Sequence, residues 1–216
     1  MIKAAIFDRN NVLIEYDFKY AQHYFEPLLP ISIFELGNRW QTWGETVGFP
    51  ANAAAEKQFW GGFWDQISDE YNLSSEARDK LHAFRYIDVL RPFPDARPTL
   101  LALRELGLQI GVLSNFPLAT IESSLAAVNL LDCVDVALSS TNIGVAKPNA
   151  EAYQHIAQAM HIDYPEAVFI DDTLVHIQAA RELGMHAYLL DRQQAEHDLA
   201  SGLICELTII PELCQR

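Results

Sequence analysis

Three short apolar runs in this chain stop abruptly on polar residues. Lys3–Asp8 (KAAIFD) ends in a carboxylate, Leu108–Leu113 (LQIGVL) runs straight into Ser114-Asn115, and Ala167–Ile170 runs into Asp171-Asp172. A short apolar run without alternation suits a strand buried on both faces, the condition of a parallel sheet covered by helices. Helical patterns separate these runs. Asp95–Leu106 ends near Gly107 as a C-cap, Leu118–Val128 follows, Pro148–Met160 opens on a proline, and His176–Leu183 closes at Gly184. Val134–Ser139 and His186–Leu190 add two strands, and Leu207–Ile210 is expected as a last edge element. Strands alternating with helices of this size imply right-handed βαβ units. The expected core is therefore α/β, a Rossmann-like parallel sheet with helices on both faces.

One stretch breaks the alternation. From Tyr16 to Tyr86 the chain is rich in aromatic residues and reads as helices with short loops. Trp40 and Trp43 lie three apart, whereas Phe59 with Phe63 and Trp60 with Trp64 lie four apart. These are same-face helical spacings, so the rings are expected to form the core of a small helical bundle. Gly44, Gly48 and Pro50 mark a loop within it. The predicted organisation is a discontinuous α/β domain, residues 1–15 and 88–216, with an all-α cap domain, residues 16–87, inserted between its pieces.

With 216 residues, 50% of them hydrophobic, the chain is long enough for a sizeable core and a small accessory domain. Its formal net charge of −14 argues against nucleic acid and against anionic membranes, both of which call for a basic surface. The three cysteines, Cys133, Cys205 and Cys214, match no zinc or redox spacing and are expected to be reduced thiols. No apolar stretch approaches the length of a membrane span. A cytoplasmic protein, monomer or homodimer, is the expectation.

Asp8, Ser114 and Asp171-Asp172 stand at the C-terminal ends of predicted strands, and Lys147 just ahead of a helix. In a parallel sheet those ends lie side by side and open on one crevice. Three carboxylates in one crevice repel each other and need a cation, and oxygen donors without Cys or His favour Mg²⁺. A cation, Lys147 and the Ser114 hydroxyl form the set that holds a dianionic phosphoryl group and stabilises its in-line transfer. One carboxylate can then serve as nucleophile, splitting hydrolysis into two steps.

The segments IFDRNNVL around Asp8, VLSN around Ser114, AKPNAEAY around Lys147 and FIDDTLVHIQAARELGM around Asp171-Asp172 resemble the four motifs of the haloacid dehalogenase superfamily. The similarity is to the subgroup with a helical cap after the first motif, and RPFPDARPTLLALRELG resembles the segment leading out of that cap. It covers roughly residues 1–15 and 88–192. The resemblance implies a Mg²⁺-dependent phosphatase acting on a small phosphorylated metabolite. Asp8 would form an aspartyl-phosphate and the Asn10 carbonyl would bind Mg²⁺. Ser114, with Asn115 beside it, would hold the phosphoryl oxygens. Lys147 would neutralise charge there, and Asp171 and Asp172 would hold the metal directly or through water. The cap would close over the site and set specificity.

The sequence departs from the family pattern at three positions. Phosphatases of the family usually carry an Asp two residues after the nucleophile, which protonates the leaving group; here that residue is Asn10, and the next, usually Gly, is Asn11. An amide cannot exchange a proton, and acid–base help is worth about 10²–10⁴-fold. The expected substrates are therefore those whose leaving group needs little protonation, such as acyl or anomeric phosphates. Alternatives are a weakly active member acting as a binding protein, an Asn10 introduced by substitution, or a metal-independent 2-haloacid dehalogenase, which also lacks the second Asp. The Asp171-Asp172 pair favours phosphoryl transfer over the last. His176, four residues after Asp172, is a candidate for the missing acid–base group. In the cap, Tyr16, Trp40, Trp43 and Glu45 are candidate substrate contacts because they follow the first motif or flank Gly44.

Overall fold

The computed structural model describes residues 1–118 and 121–215. Six strands form a sheet whose paired neighbours all run parallel: β1 (Ala4–Phe7), β4 (Gln109–Ser114), β5 (Val136–Ser139), β6 (Ala167–Asp171), β7 (His186–Leu190) and β8 (Leu203–Ile204). Their order across the sheet is β5-β4-β1-β6-β7-β8, with β1 paired to both β4 and β6. A second ladder joins β2 (Ile14–Tyr16) to β3 (Leu90–Pro92) antiparallel, with Tyr16 opposite Leu90. This pair ties together the chain leaving the first motif and the chain returning to the sheet. Tyr16 therefore completes a strand where the sequence pattern placed the first residue of the cap.

The period-two geometry of a strand sorts the central residues onto two faces. Ala5, Phe7, Val168 and Ile170 join one buried cluster with residues of α5 (Ala96–Glu105), α6 (Ile121–Ala127) and α10 (Ile210–Leu213). Ala4, Ile6 and Phe169 join the other with α8 (Ala150–Ala159) and α9 (Leu174–Glu182). Both faces are covered, and for that reason these strands read as unbroken apolar runs. Gly111 in β4 is needed for close approach, since a Cβ there would lie 2.6 Å from Met160 Sδ. A short helix, α7 (Ser140–Ile143), follows β5. The N-terminal part of the predicted Leu118–Val128 helix falls on Ala119 and Thr120, outside the described residues.

The expected edge element at Leu207–Ile210 is not a strand. Leu207–Ile209 form a 3-10 turn leading into α10, and the edge strand is β8, just upstream. Two forces override the apolar run: Pro211 favours a helical start, and the Leu207 N–H donates to Asp95 Oδ2 at 2.9 Å.

Four helices lie between β2 and β3: α1 (Phe18–Phe25), α2 (Ile33–Val47), α3 (Ala53–Glu70) and α4 (Ser75–Ala83). Asp17, Ser32, Asn52 and Ser74 cap their N-termini through side-chain oxygens. The predicted aromatic core is present. Phe25 and Trp64, Trp60 and Trp64, and Trp40 and Trp60 stack at centroid distances of 5.6, 5.9 and 5.8 Å. Trp60 also stacks on Tyr86 at 6.1 Å, and Tyr86 meets Phe116 of the sheet domain at 5.9 Å, so one ladder of rings joins cap to core. Among the described residues no helix is long and apolar enough to cross a membrane.

Phe169 is fully buried at the centre of β6, and its ring lies 5.4 Å from Lys147 Nζ. Phe169→Ala is expected to lower unfolding free energy by about 3–5 kcal/mol, measured by urea denaturation.

Candidate active site

The parallel sheet delivers its polar residues to one edge. Asp8 directly follows β1, and its N–H extends the ladder to Ile170 O at 2.8 Å. Ser114 ends β4, Asp171 ends β6 and Asp172 follows it. Lys147 arrives from the loop before α8. Its position is fixed by Asn115, whose carboxamide clasps the Lys147 backbone: Nδ2 donates to Lys147 O, and Oδ1 accepts from Lys147 N, both at 2.8 Å. Asn115, expected beside Ser114 at the phosphoryl oxygens, is thus placed as a brace for the lysine.

Lys147 Nζ lies 2.7 Å from Asp8 Oδ1 and 2.6 Å from Asp171 Oδ2, and all three side chains are buried. Asp171 also accepts the Thr173 N–H at 2.8 Å and approaches His176 Nδ1 at 3.0 Å. Asp172 accepts from Asn11 Nδ2 at 2.9 Å. One carboxylate oxygen from each of Asp8, Asp171 and Asp172 falls within 4.8 Å of the others. Burial pushes the Asp8 carboxyl above its usual range, and the adjacent Lys147 charge offsets this only in part. Burial acts on Asp171 in the same sense, but hydrogen bonds from His176 and Lys147 more than reverse it and hold its carboxyl below the usual range. Burial depresses the Lys147 ammonium, and the two carboxylates outweigh it, leaving it raised.

Two contributions escaped the sequence reading. Asn11 adopts φ 57°, the left-handed conformation that Asn tolerates better than most residues, so it fills the usual glycine position while its side chain ties Asp172 to the loop. Arg9, the residue after Asp8, is fully buried. Its Nε donates to Ser124 Oγ at 2.7 Å, Nη1 donates to Asn10 Oδ1, and the guanidinium lies 4.5 Å over the Phe116 ring. Nothing in the sequence pattern set Arg9 apart, because its burial follows from contacts with residues more than a hundred positions away.

The cap candidates divide. Tyr16 borders a groove that also contains Asn11 and Asp172. Trp40 is part of the aromatic stack. Trp43 and Glu45 stay on α2: the Trp43 indole donates to Phe59 O at 3.2 Å, and exposed Glu45 accepts from Gln41. Among the described residues neither touches the carboxylates. His176, a candidate proton donor, directs Nδ1 at Asp171.

The sequence model of the haloacid dehalogenase-like hydrolases matches residues 2–184. The chain belongs to this family. As a haloacid dehalogenase-like hydrolase it is 38% identical over 210 residues to phosphatase MT3486 of Mycobacterium tuberculosis, covering 96% of this chain and 94% of that one. It is 24% identical to the putative phosphatase YhcW of Bacillus subtilis, covering 97% and 96%. The fold is shared with the L-2-haloacid dehalogenase of Xanthobacter autotrophicus (TM-score 0.66, 19% identity, 100% and 99% coverage). It is also shared with a phosphatase of the same family from Thermococcus onnurineus (TM-score 0.62, 21% identity, 98% and 97% coverage).

Among the described residues of this hydrolase, Lys147 is the one cation bonded to two buried acids. Lys147→Met would leave Asp8 without its cation and Asp171 with only His176 and the Thr173 N–H, and is expected to cost about 3–5 kcal/mol at neutral pH. Because Asp171 is held below its ordinary 3.8, the stability it contributes is full above that value and is lost as pH falls through its lower folded value. The difference between wild type and Lys147→Met in urea unfolding should therefore shrink on acidification, beginning above 3.8 as the raised Asp8 carboxyl takes up its proton and continuing below 3.8 as Asp171 does.

Proposed function

We propose that this hydrolase is a Mg²⁺-dependent phosphatase that transfers the phosphoryl group of a small phosphorylated metabolite to Asp8 and then to water. The observation that carries the proposal is the Lys147 bridge between Asp8 and Asp171, with Asp172 within reach of both. The phosphatase names of the relatives agree with it.

The donor set is all oxygen and suits a hard cation. Asp171 already receives Lys147, the Thr173 N–H and His176. This leaves Asp8, Asp172 and the Asn10 carbonyl as the direct holders, and among the described residues no hydrogen bond ends on that carbonyl. Bound there, the cation supplies charge neutralisation for the phosphoryl oxygens. The chain's own groups do the rest. Asp8 attacks phosphorus, the Ser114 hydroxyl donates to a phosphoryl oxygen, and Lys147 balances the charge that shifts between nucleophile and phosphoryl group. Because Arg9 can only donate, Asn10 must present Oδ1 to it, which reserves the Asn10 NH₂ as a donor toward the leaving oxygen. Such a donor stabilises a departing anion without protonating it. Substrates with good leaving groups, acyl or anomeric phosphates, fit that site. The three unpaired thiols suit a cytoplasmic setting.

Hydrolysis of acetyl phosphate and of an alkyl phosphate, with Mg²⁺ and with EDTA, tests the proposal. Acetyl phosphate should be favoured in kcat/KM by about 10²–10⁴-fold, the usual worth of acid–base help. EDTA and Asp8→Asn should each abolish turnover. Halide release from 2-chloropropionate in EDTA, without phosphatase activity, would instead make the protein a dehalogenase.

A further inference from the structure

A groove of about 450 Å³ opens beside the carboxylate cluster, and Asp172 and Asn11 form part of its wall. One oxygen of Asp172 lies within 4.8 Å of oxygens of Asp8 and Asp171. A substrate whose phosphoryl group sits on Asp8 therefore has this space next to it for its organic part. Glu15, Tyr16, Phe18 and Asp191 also line the groove, so their chemistry bears on what that part can be.

The acids on the wall are left without cationic partners. Glu15 is exposed in the middle of β2, and Arg91 stands opposite it in the β2–β3 ladder. Opposite charges facing each other across a ladder ordinarily pair. Here Arg91 is engaged elsewhere: it bonds Asp17 Oδ2 at 3.2 Å and donates to the carbonyls of Asp88 and Leu90. Among the described residues Glu15 has no hydrogen bond or ion pair. Asp191 accepts only from uncharged donors, the Gln193 N–H at 3.0 Å and Gln194 Nε2 at 2.8 Å.

Among the described residues Arg192 is the one cationic side chain on the wall, and it is already committed. Its Nη1 and Nη2 each meet an oxygen of Asp95 at 3.0 Å, and Nη2 also donates to Val12 O at 2.8 Å. The groove thus has no free cation for a carboxylate or a second phosphate. It does have open rings. Phe18 is 56% exposed and lies 6.2 Å from the Tyr16 ring, and among the described residues no arginine or lysine covers either. Phe93, by contrast, carries the Arg192 guanidinium at 3.8 Å. Aromatic faces attract cations through their quadrupole, independently of any carboxylate.

We infer that this groove receives the organic part of the substrate, and that this part bears an ammonium group held by Glu15 and the rings of Tyr16 and Phe18. The inference rests on the phosphatase reading for the phosphoryl end. Joined to the need for a good leaving group at Asn10, it narrows the substrate to the phosphate of an amino sugar at its anomeric carbon or to an amino-acyl phosphate.

Recognition is tested apart from turnover by calorimetry on the full-length Asp8→Asn protein with Mg²⁺. Glucosamine 1-phosphate and glucose 1-phosphate are the probes, since they differ by one ammonium in place of a hydroxyl. Glucosamine 1-phosphate should bind about tenfold tighter, the combined scale of an exposed ion pair and an exposed cation–ring contact. Adding Glu15→Gln should cut that preference by about fivefold, and adding Phe18→Leu by about threefold, with glucose 1-phosphate unaffected by either. Both positions are exposed, so neither change threatens the fold. In the wild-type background the same preference is expected in kcat/KM, with acetyl phosphate as the control for phosphatase competence. An ammonium preference that Glu15→Gln removes, with no turnover of any phosphate, would overturn the phosphatase reading and uphold the cation site. Equal affinity for the two sugars, binding of neither, or a preference unchanged by both substitutions would overturn the cation site whatever acetyl phosphate gives.

Discussion

Lys147 holds one positive charge between two carboxylates at the end of a buried sheet. Its charge works against the burial that pushes both acids up, with His176 sharing that task at Asp171, and the ammonium would be depressed without them. Much of the site geometry follows from this triad. Asp8 and Asp171 end on adjacent strands because β1 and β6 pair in parallel, and the lysine joins them because Asn115 clasps its backbone. The triad carries a net negative charge before Asp172 is counted. The excess lies at the open edge of the sheet, where a cation and an anionic group can enter together.

The cap is held to this edge largely by rings. The ladder from Trp64 through Trp60 and Tyr86 to Phe116 crosses from α3 to the loop after β4, and Phe116 in turn carries the Arg9 guanidinium. The β2–β3 pair makes a second tie. Cap packing is therefore connected by direct contact to Arg9, the residue following Asp8. A change in how Trp60 sits is felt at the Asp8 loop through touching side chains.

The sequence was most legible where burial on both faces leaves a simple trace. The strands β1, β4, β6 and β7 are apolar runs because helices cover them, and their polar ends mark the site. Asp8, Ser114, Asp171 and Asp172 were visible that way, and Lys147 by its place just ahead of a helix. Elements set by distant contacts were not. Leu207–Ile210 reads as a strand, but Asp95, more than a hundred residues away, and the neighbouring Pro211 turn it into a 3-10 turn and helix. The brace role of Asn115 depends on a loop meeting another loop. Helical spacing in the cap showed that Trp40, Trp43, Trp60 and Trp64 share faces, but it carries no information about which face turns toward the carboxylates. Trp43 and Glu45 were candidates by proximity to Gly44 and lie elsewhere.

The contact between Arg9 and Asn10 makes the two positions interdependent in chemistry as well as in space. An aspartate at position 10 would meet a buried guanidinium and be held as a carboxylate by ion pairing, in the form that has no proton to give. Replacing Asn10 by Asp alone would therefore install the family's common residue without its common chemistry. The chemistry at position 10 is therefore set by a pair of residues, 9 and 10, and not by one.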